Sequence, residues 1–256
     1  MKIALITDIH HGHNTNYKHL KGEEYVNLFG AEFKDASKKL ISIFDQSDLV
    51  VNLGDLIHDE DKEQDIHTYG EAVSFFNSNS RVEHVIGNHD LRNLTMKDLI
   101  EIVHRDKEYF SFDLKCFHHI VLGGTRKEPR GPHYIEEEQL KWLENDLNTT
   151  DLPTFIYCHY PLDNQDLSEN YYFKSRPDGG SIANKGFVRP ILERSGKVKA
   201  VFNGHLHFYH QEVIKGITYC TVPSFSENNG VNRPNHQFAL VEVTNEGLNI
   251  EIKDLN

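Results

Sequence analysis

Five short pieces of this chain place carboxylate, amide and imidazole groups in a fixed order. They are Asp8-Ile9-His10, Gly54-Asp55, Gly87-Asn88-His89-Asp90, His159 and Gly204-His205-Leu206-His207. Asp8, Asp55 and Asn88 offer oxygens; His10, His159, His205 and His207 offer imidazole nitrogens. A nitrogen and oxygen set without thiolate suits Mn, Fe, Zn or Co and disfavours a structural zinc site. Seven such donors are enough to hold two divalent ions side by side. Two ions about 3.5–4 Å apart clamp a phosphorus ester for in-line attack. A lone Asp-x-His or Gly-Asp is a common accident, and a single His after a strand is more often a surface or core residue. Five pieces in one order, each at the end of an apolar run, are hard to obtain by chance.

The runs themselves read as buried strands. Lys2–Ile6 leads into Asp8, Asp48–Leu53 into Gly54-Asp55, and Val82–Ile86 into Gly87-Asn88-His89-Asp90. Thr154–Cys158 runs into His159, and Val198–Asn203 into Gly204-His205. Near-continuous apolar runs between helical stretches mark strands covered on both faces. In open α/β sheets, ligands bind beyond the carboxyl ends of the strands. Five strand ends bearing Asp, Asn and His therefore belong to one crevice. The glycines before Asp55, Asn88 and His205 permit sharp turns and close backbone approach.

At these residues the sequence resembles the calcineurin-like metallophosphoesterases. Their order of Asp-x-His, Gly-Asp, Gly-Asn-His-Asp/Glu, His and Gly-His-x-His is present without a substitution, and it spans residues 8 to 207. The resemblance implies a dinuclear centre of two divalent metal ions. Asp8, His10, Asp55 and His207 would hold one ion, and Asp55, Asn88, His159 and His205 the other, with Asp55 bridging. A hydroxide shared by the ions would be the nucleophile. His89 would face the phosphoryl group and protonate the leaving oxygen, and Asp90 would orient that imidazole. The fold it implies is an α/β sandwich of four layers, two mixed β-sheets packed face to face and flanked by helices.

Composition bounds the reading. The 256 residues are within reach of a single domain, 1–256. Charged residues are 26% and hydrophobic residues 38%, as in an ordinary soluble protein. A net charge of −12 argues against a nucleic-acid partner or an anionic membrane surface. The first apolar run is too short for a signal peptide or membrane helix. Cys116, Cys158 and Cys220 have no ligand spacing and read as reduced core residues of a cytoplasmic protein. Nothing in the sequence sets an oligomeric state.

Apolar periodicity predicts helices over 31–46, 65–78, 95–103, 136–147 and 182–194, with Thr95 as an N-cap. Strands are expected over 108–113, 117–122, 208–214, 217–222, 237–243 and 248–253. Trp142 reads as a core anchor. Two connections are long, 10–30 and 160–181, and long connections are usually functional or disordered. The second holds Tyr171, Tyr172, Phe173, Lys174 and Arg176 directly after His159, which favours a substrate cap. Residues 223–232 are a third candidate wall. His13, Arg92, Asn93, Tyr171, Tyr172 and Arg176 are the candidate substrate-binding residues.

The metals choose the phosphoryl group and the walls choose the rest. The His-rich run from Asp8 to Asn14 and the extension Leu91-Arg92-Asn93 look like the branch that cleaves ADP-ribose and CDP-alcohol diphosphates. The general layout, including Ile135–Leu143, is equally similar to the bacterial cyclic-nucleotide phosphodiesterase branch. The expected partner is thus a small phosphorylated substrate, such as a nucleotide, hydrolysed at a phosphodiester or pyrophosphate. A protein or small-molecule phosphomonoesterase, and a metal-binding interaction module without chemistry, are the alternatives.

Overall fold

The structure, a computed structural model, describes residues 1–12, 16–18, 24–26, 29–126, 131–226, 236–244 and 247–255. His13 and residues 227–232 of the third candidate wall lie outside them. The chain divides into two compact units, Met1–Asp106 with Pro223–Asn256, and Lys107–Val222.

The first unit is built on a five-stranded mixed sheet. Its order is Gly247–Asp254, Gln237–Thr244, Lys2–Ile6, Leu49–Asn52 and Arg81–His84. Lys2–Ile6, Leu49–Asn52 and Arg81–His84 run parallel, so their carboxyl ends lie at one edge. The two C-terminal strands join antiparallel. Leu49–Asn52 is buried at every position, which is why its run is continuous rather than alternating. Three helices accompany this sheet: α1 (Phe29–Phe44), α2 (Lys62–Ser74) and α3 (Met96–Ile102). Phe33, Leu40, Phe44, Tyr69, Phe76 and Leu99 pack with Ile6 and Val50 in one core. Burying each such side chain contributes about 1.5–3 kcal/mol.

Helix α2 begins at Lys62, three residues before the predicted start, because Asp61 caps it by accepting from Gln64 N at 3.0 Å. Thr95 caps α3 as expected, in a reciprocal box with Asp98. Inside the connection 10–30 a short hairpin pairs Asn16–Lys18 with Glu24–Val26.

The second unit is a six-stranded mixed sheet with order His210–Ile214, Ile217–Thr221, Val198–Asn203, Thr154–Cys158, Phe117–Leu122 and Phe110–Leu114. The four inner strands are parallel and both edges antiparallel. Helices α4 (Glu137–Thr149) and α5 (Lys185–Ser195) supply Leu143, Leu147, Val188 and Leu192 to a core with Ile120, Ile156, Val201 and Tyr219. Trp142 lies half-buried at the margin of that core, its ring 4.9 Å from Tyr109. Two mixed sheets with their own helices are the α/β class expected from the sequence.

Cys158 and Cys220 are buried in this sheet, and burial pushes both thiols up to about 12. Cys158, beside His159, is therefore no nucleophile at neutral pH. Cys116 departs from expectation. It is exposed, because it occupies the turn between Phe110–Leu114 and Phe117–Leu122.

Candidate functional site

In the first unit, three parallel strands deliver Asp8, Asp55 and Asn88 at their carboxyl ends. The ladder continues past the strands into the loops: Asp8 N donates to Gly54 O at 3.0 Å, His10 N to Asp55 O at 3.1 Å, and His11 N to Leu56 O at 2.9 Å. Thr7 donates to Asp8 Oδ2 at 2.7 Å. The backbone N–H of His89 donates to Asp55 Oδ1 at 2.7 Å, which ties the Gly-Asp loop to the Gly-Asn-His-Asp loop. Gly87 makes that tie possible. A Cβ there would stand 2.2 Å from Asp55 Oδ1 and 2.3 Å from Asp55 N, so any side chain would drive the loops apart. Ser224 and Ser226 donate to Asp8 O at 2.9 and 2.8 Å. Residues 223–226 thus buttress the Asp8 loop from behind.

Asp90 corrects an expectation. Its Oδ2 accepts from Gly87 N and Asp55 N, and its Oδ1 from Leu56 N and Ile57 N. Four backbone donors turn this buried carboxylate toward the loops, so it shapes the site without orienting His89. The group that faces His89 is Asp59, with Nδ1 to Oδ1 at 2.6 Å. Burial opposes ionisation of Asp59, but the hydrogen bond and charge of His89, with Arg92 and His58, override it and hold its pKa below the usual range. An ionised Asp59 must accept, so His89 carries its proton on Nδ1. Arg92 donates to Asp59 Oδ2 at 3.1 Å, and its guanidinium nitrogen lies 3.2 Å from His89 Nε2. Arg92 is therefore placed at the imidazole, as a substrate-facing residue would be. Asn93 is not: its amide donates to the buried Asp65 of α2 at 2.9 Å and pins the loop to that helix.

His58 completes the cluster. The His10, His58 and His89 rings lie 4.7 to 5.8 Å apart by centroid. Burial, and then the charge of His89, push His58 down to about 3, so it is neutral near pH 7. Sequence reasoning passed over His58 and Asp59. The signal was Gly54-Asp55-Leu56-Ile57-His58-Asp59, where the polar residues continue past the metal motif.

In the second unit, parallel strands bring His159 and Gly204-His205-Leu206-His207 together, with Gly204 N donating to His159 O at 3.0 Å. His205 Nε2 donates to Gly179 O at 2.9 Å, which leaves Nδ1 as the ligating nitrogen. That Nδ1 lies 3.2 Å from His159 Nε2. Two nitrogens on a tetrahedral ion, each bonded at about 2.0–2.1 Å, stand about 3.3–3.4 Å apart. The pair therefore fits a shared metal. In the first unit the donor set fits as well, since Asn88 Oδ1 is buried without a hydrogen-bond partner.

The segment after His159 is anchored on the Gly-His-x-His loop. Asn170 donates to Leu206 O at 2.9 Å, and Leu167 and Phe173 pack with Leu206. The Tyr172 ring lies 4.9 Å from His207, and Phe173 lies 4.8 Å from His205. Tyr171 is 53% exposed. Arg176 reaches over the Phe173 ring at 5.5 Å. Buried His133, unmarked in the sequence, stacks on Tyr160 at 3.8 Å beside His205.

Five motif residues share a left-handed backbone, which His104, Lys115, Cys116, Lys215 and His236 also adopt. Asp8, His10, Asp55, His205 and His207 have φ of 50°, 49°, 51°, 70° and 62°. That left-handed region is uncommon for non-glycine residues and marks functional turns.

A family model of calcineurin-like phosphoesterases matches residues 1–209. The chain is a calcineurin-like phosphoesterase. Membership makes it a metal-dependent phosphoester hydrolase by family, with two divalent metal ions as the family's cofactor. Among solved structures, a dimetal phosphatase from Danio rerio matches this phosphoesterase with TM-score 0.75 at 16% identity, covering 100% of this chain and 96% of that chain. A purple acid phosphatase from yellow lupin gives 0.66 at 14% identity, with 99% of this chain and 51% of the longer lupin chain covered. GAP50, the anchor in the inner membrane complex of Plasmodium, gives 0.63 at 10% identity, with 100% and 85% covered. At these identities the likeness is one of fold. No curated protein matches the sequence. No helix among the described residues of this phosphoesterase is long and apolar enough to cross a membrane.

Asp59→Asn removes the charge that fixes the tautomer of His89 and keeps the shape. The expected result is a roughly 10–100-fold fall in kcat, the range of a lost outer partner, with metal content unchanged. Full kcat in this variant, measured on a diester with a poor leaving group, would remove Asp59 from the reaction.

Proposed function

We propose that this phosphoesterase hydrolyses a small phosphodiester or nucleotide pyrophosphate. By the family pattern, Asp8, His10, Asp55 and His207 hold one ion, and Asp55, Asn88, His159 and His205 the second. When bound, the ions lower the pKa of a water and offset charge on the phosphoryl oxygens. The observation that carries the reading is His89 held between Asp59 and Arg92. Asp59 fixes the ring so that Nε2 points to the reacting group. Arg92, whose guanidinium lies 3.2 Å from Nε2, is placed to take a phosphoryl oxygen. His89 then gives a proton from Nε2 to the leaving oxygen. An alkoxide leaving group, as in a diester of an alcohol or sugar, needs that proton most. The exposed ring of Tyr171 and the guanidinium of Arg176 suit a base and a second phosphate. The net charge of −12 disfavours a nucleic-acid substrate.

The test is a panel assayed with manganese and compared by kcat/KM. It holds cyclic AMP, cyclic GMP, ADP-ribose, CDP-choline, a glycerophosphodiester, a phosphomonoester and a phosphopeptide. A small diester or pyrophosphate should lead. A leading monoester or phosphopeptide would replace this reading with the phosphomonoesterase one, and no turnover at all would favour the interaction module.

The segment after His159 has its own expected outcome. Tyr171→Ala and Arg176→Ala should lower kcat/KM for the natural substrate by roughly tenfold or more, and leave a small chromogenic diester unchanged. Binding energy from remote parts of a substrate positions its reacting group, and a small diester has no remote parts. Equal losses on both substrates, tracking a lower melting temperature, would make the segment structural only.

A further inference from the structure

We infer that Asp163, His210 and Glu212 form a further divalent-cation site, made of residues outside the family's metal motifs. All three belong to the second unit. Asp163 is fully buried, and its Oδ2 has no hydrogen-bond partner. His210 Nε2, likewise without a hydrogen bond, faces it at 3.5 Å. Glu212 Oε2 stands 4.0 Å from the same nitrogen. The three ligand atoms all lie within 4.8 Å of one another. The His210–Asp163 spacing matches the edge of a tetrahedral shell with bonds of about 2.0–2.2 Å, and Glu212, which stands wider, would swing inward to complete it.

The surroundings are arranged for this. His210 and Glu212 alternate with Gln211 on the edge strand His210–Ile214, so both side chains leave on one face. Gln165 donates to Asp163 Oδ1 at 3.1 Å and to Thr221 Oγ1 at 2.7 Å. Thr221 is the residue paired with His210 across the sheet. One oxygen of Asp163 is thereby fixed by the neighbouring strand, and the other is turned to the site. The cation near Asp163 is Lys185, whose ammonium donates to Ser181 at 2.7 Å. One imidazole with two carboxylates selects a borderline ion such as Zn, Mn or Co over Ca or Mg. Exposed Glu212 gives such an ion a path to solvent.

The position has a consequence. Asp163 follows His159 by four residues, and His210 follows His207 by three. An ion here would clip together the two chain segments that leave the motif histidines of this unit, and its loss would loosen both.

The test is cobalt uptake by equilibrium dialysis on the full chain. His210→Gln should bind one cobalt fewer than the wild type. Asp55→Ala, which lacks the bridging carboxylate, should retain one cobalt that the added His210→Gln removes. Glu212→Gln should weaken that cobalt by about tenfold. Circular dichroism establishes that each variant is folded. Equal cobalt counts with and without His210 would overturn the site and leave an imidazole–carboxylate contact. The readout is a difference in bound metal, so it stands or falls separately from the proposed hydrolysis.

Discussion

Asp55→Ala is expected to strip both catalytic ions and to lower hydrolysis by on the order of 10³–10⁵-fold. The size follows from what is removed. One carboxylate is assigned to both ions, and metal activation is worth several kcal/mol at about 1.4 kcal/mol per tenfold. The same substitution deprives the His89 N–H of its acceptor, which lies at 2.7 Å. A buried donor left unsatisfied costs about 1–3 kcal/mol, so Asp55→Ala should also melt lower. Asp55→Asn separates the two effects. Its amide oxygen keeps that acceptor, but the bridging charge is gone. Elemental analysis should find the catalytic metals lost in both variants and the stability loss mainly in Ala. An Asn variant with full metal and full rate would sink the assignment of Asp55 as the bridge.

His89→Ala should retain both ions and lose about 10²–10⁴-fold in kcat on a diester with an alcohol leaving group, as for the loss of a general acid. The fall should be much smaller on a nitrophenyl ester, whose leaving group departs without a proton. A flat loss across leaving groups would assign His89 to positioning. The neighbours sharpen the comparison. Asp59 touches His89 and no motif ligand, so Asp59→Asn should reproduce the leaving-group dependence at smaller amplitude. A metal ligand cannot show this pattern, because its loss affects every ester alike.

How far the sequence discloses the site is set by the kind of signal each residue leaves. Asp8, Asp55, Asn88, His159 and His205 stand at the ends of apolar runs, and strand order places them by rules that need no contact information. The strand pattern was legible because both sheets bury their central strands, so hydrophobicity alone marks them. Asp59 was not legible: it meets His89 across 30 residues through loop geometry that no periodicity reports. Asp90 was misread for the opposite reason. Adjacency in sequence favoured a role on His89, but the tight turn after Gly87 points its carboxylate at four backbone N–H groups. Asn93 was spent on Asp65 in the same way. The start of α2 was missed because Asp61 acts through a cap and leaves no apolar periodicity. His133 left no signal, since its place beside His205 is made by a short strand, Thr125–Arg126 with His133–Tyr134.

The left-handed backbone at Asp8, His10, Asp55, His205 and His207 sets the price of activity in this fold. Each such residue costs about 1–2 kcal/mol that glycine would not. Glycine at His10 or His207 would relax the turn and delete a ligand in one step. Dead variants of that kind should therefore refold and survive heating at least as well as the metal-free wild type. Screening a library of this protein for thermal tolerance alone would enrich for inactive chains, and selection for turnover must be applied alongside it.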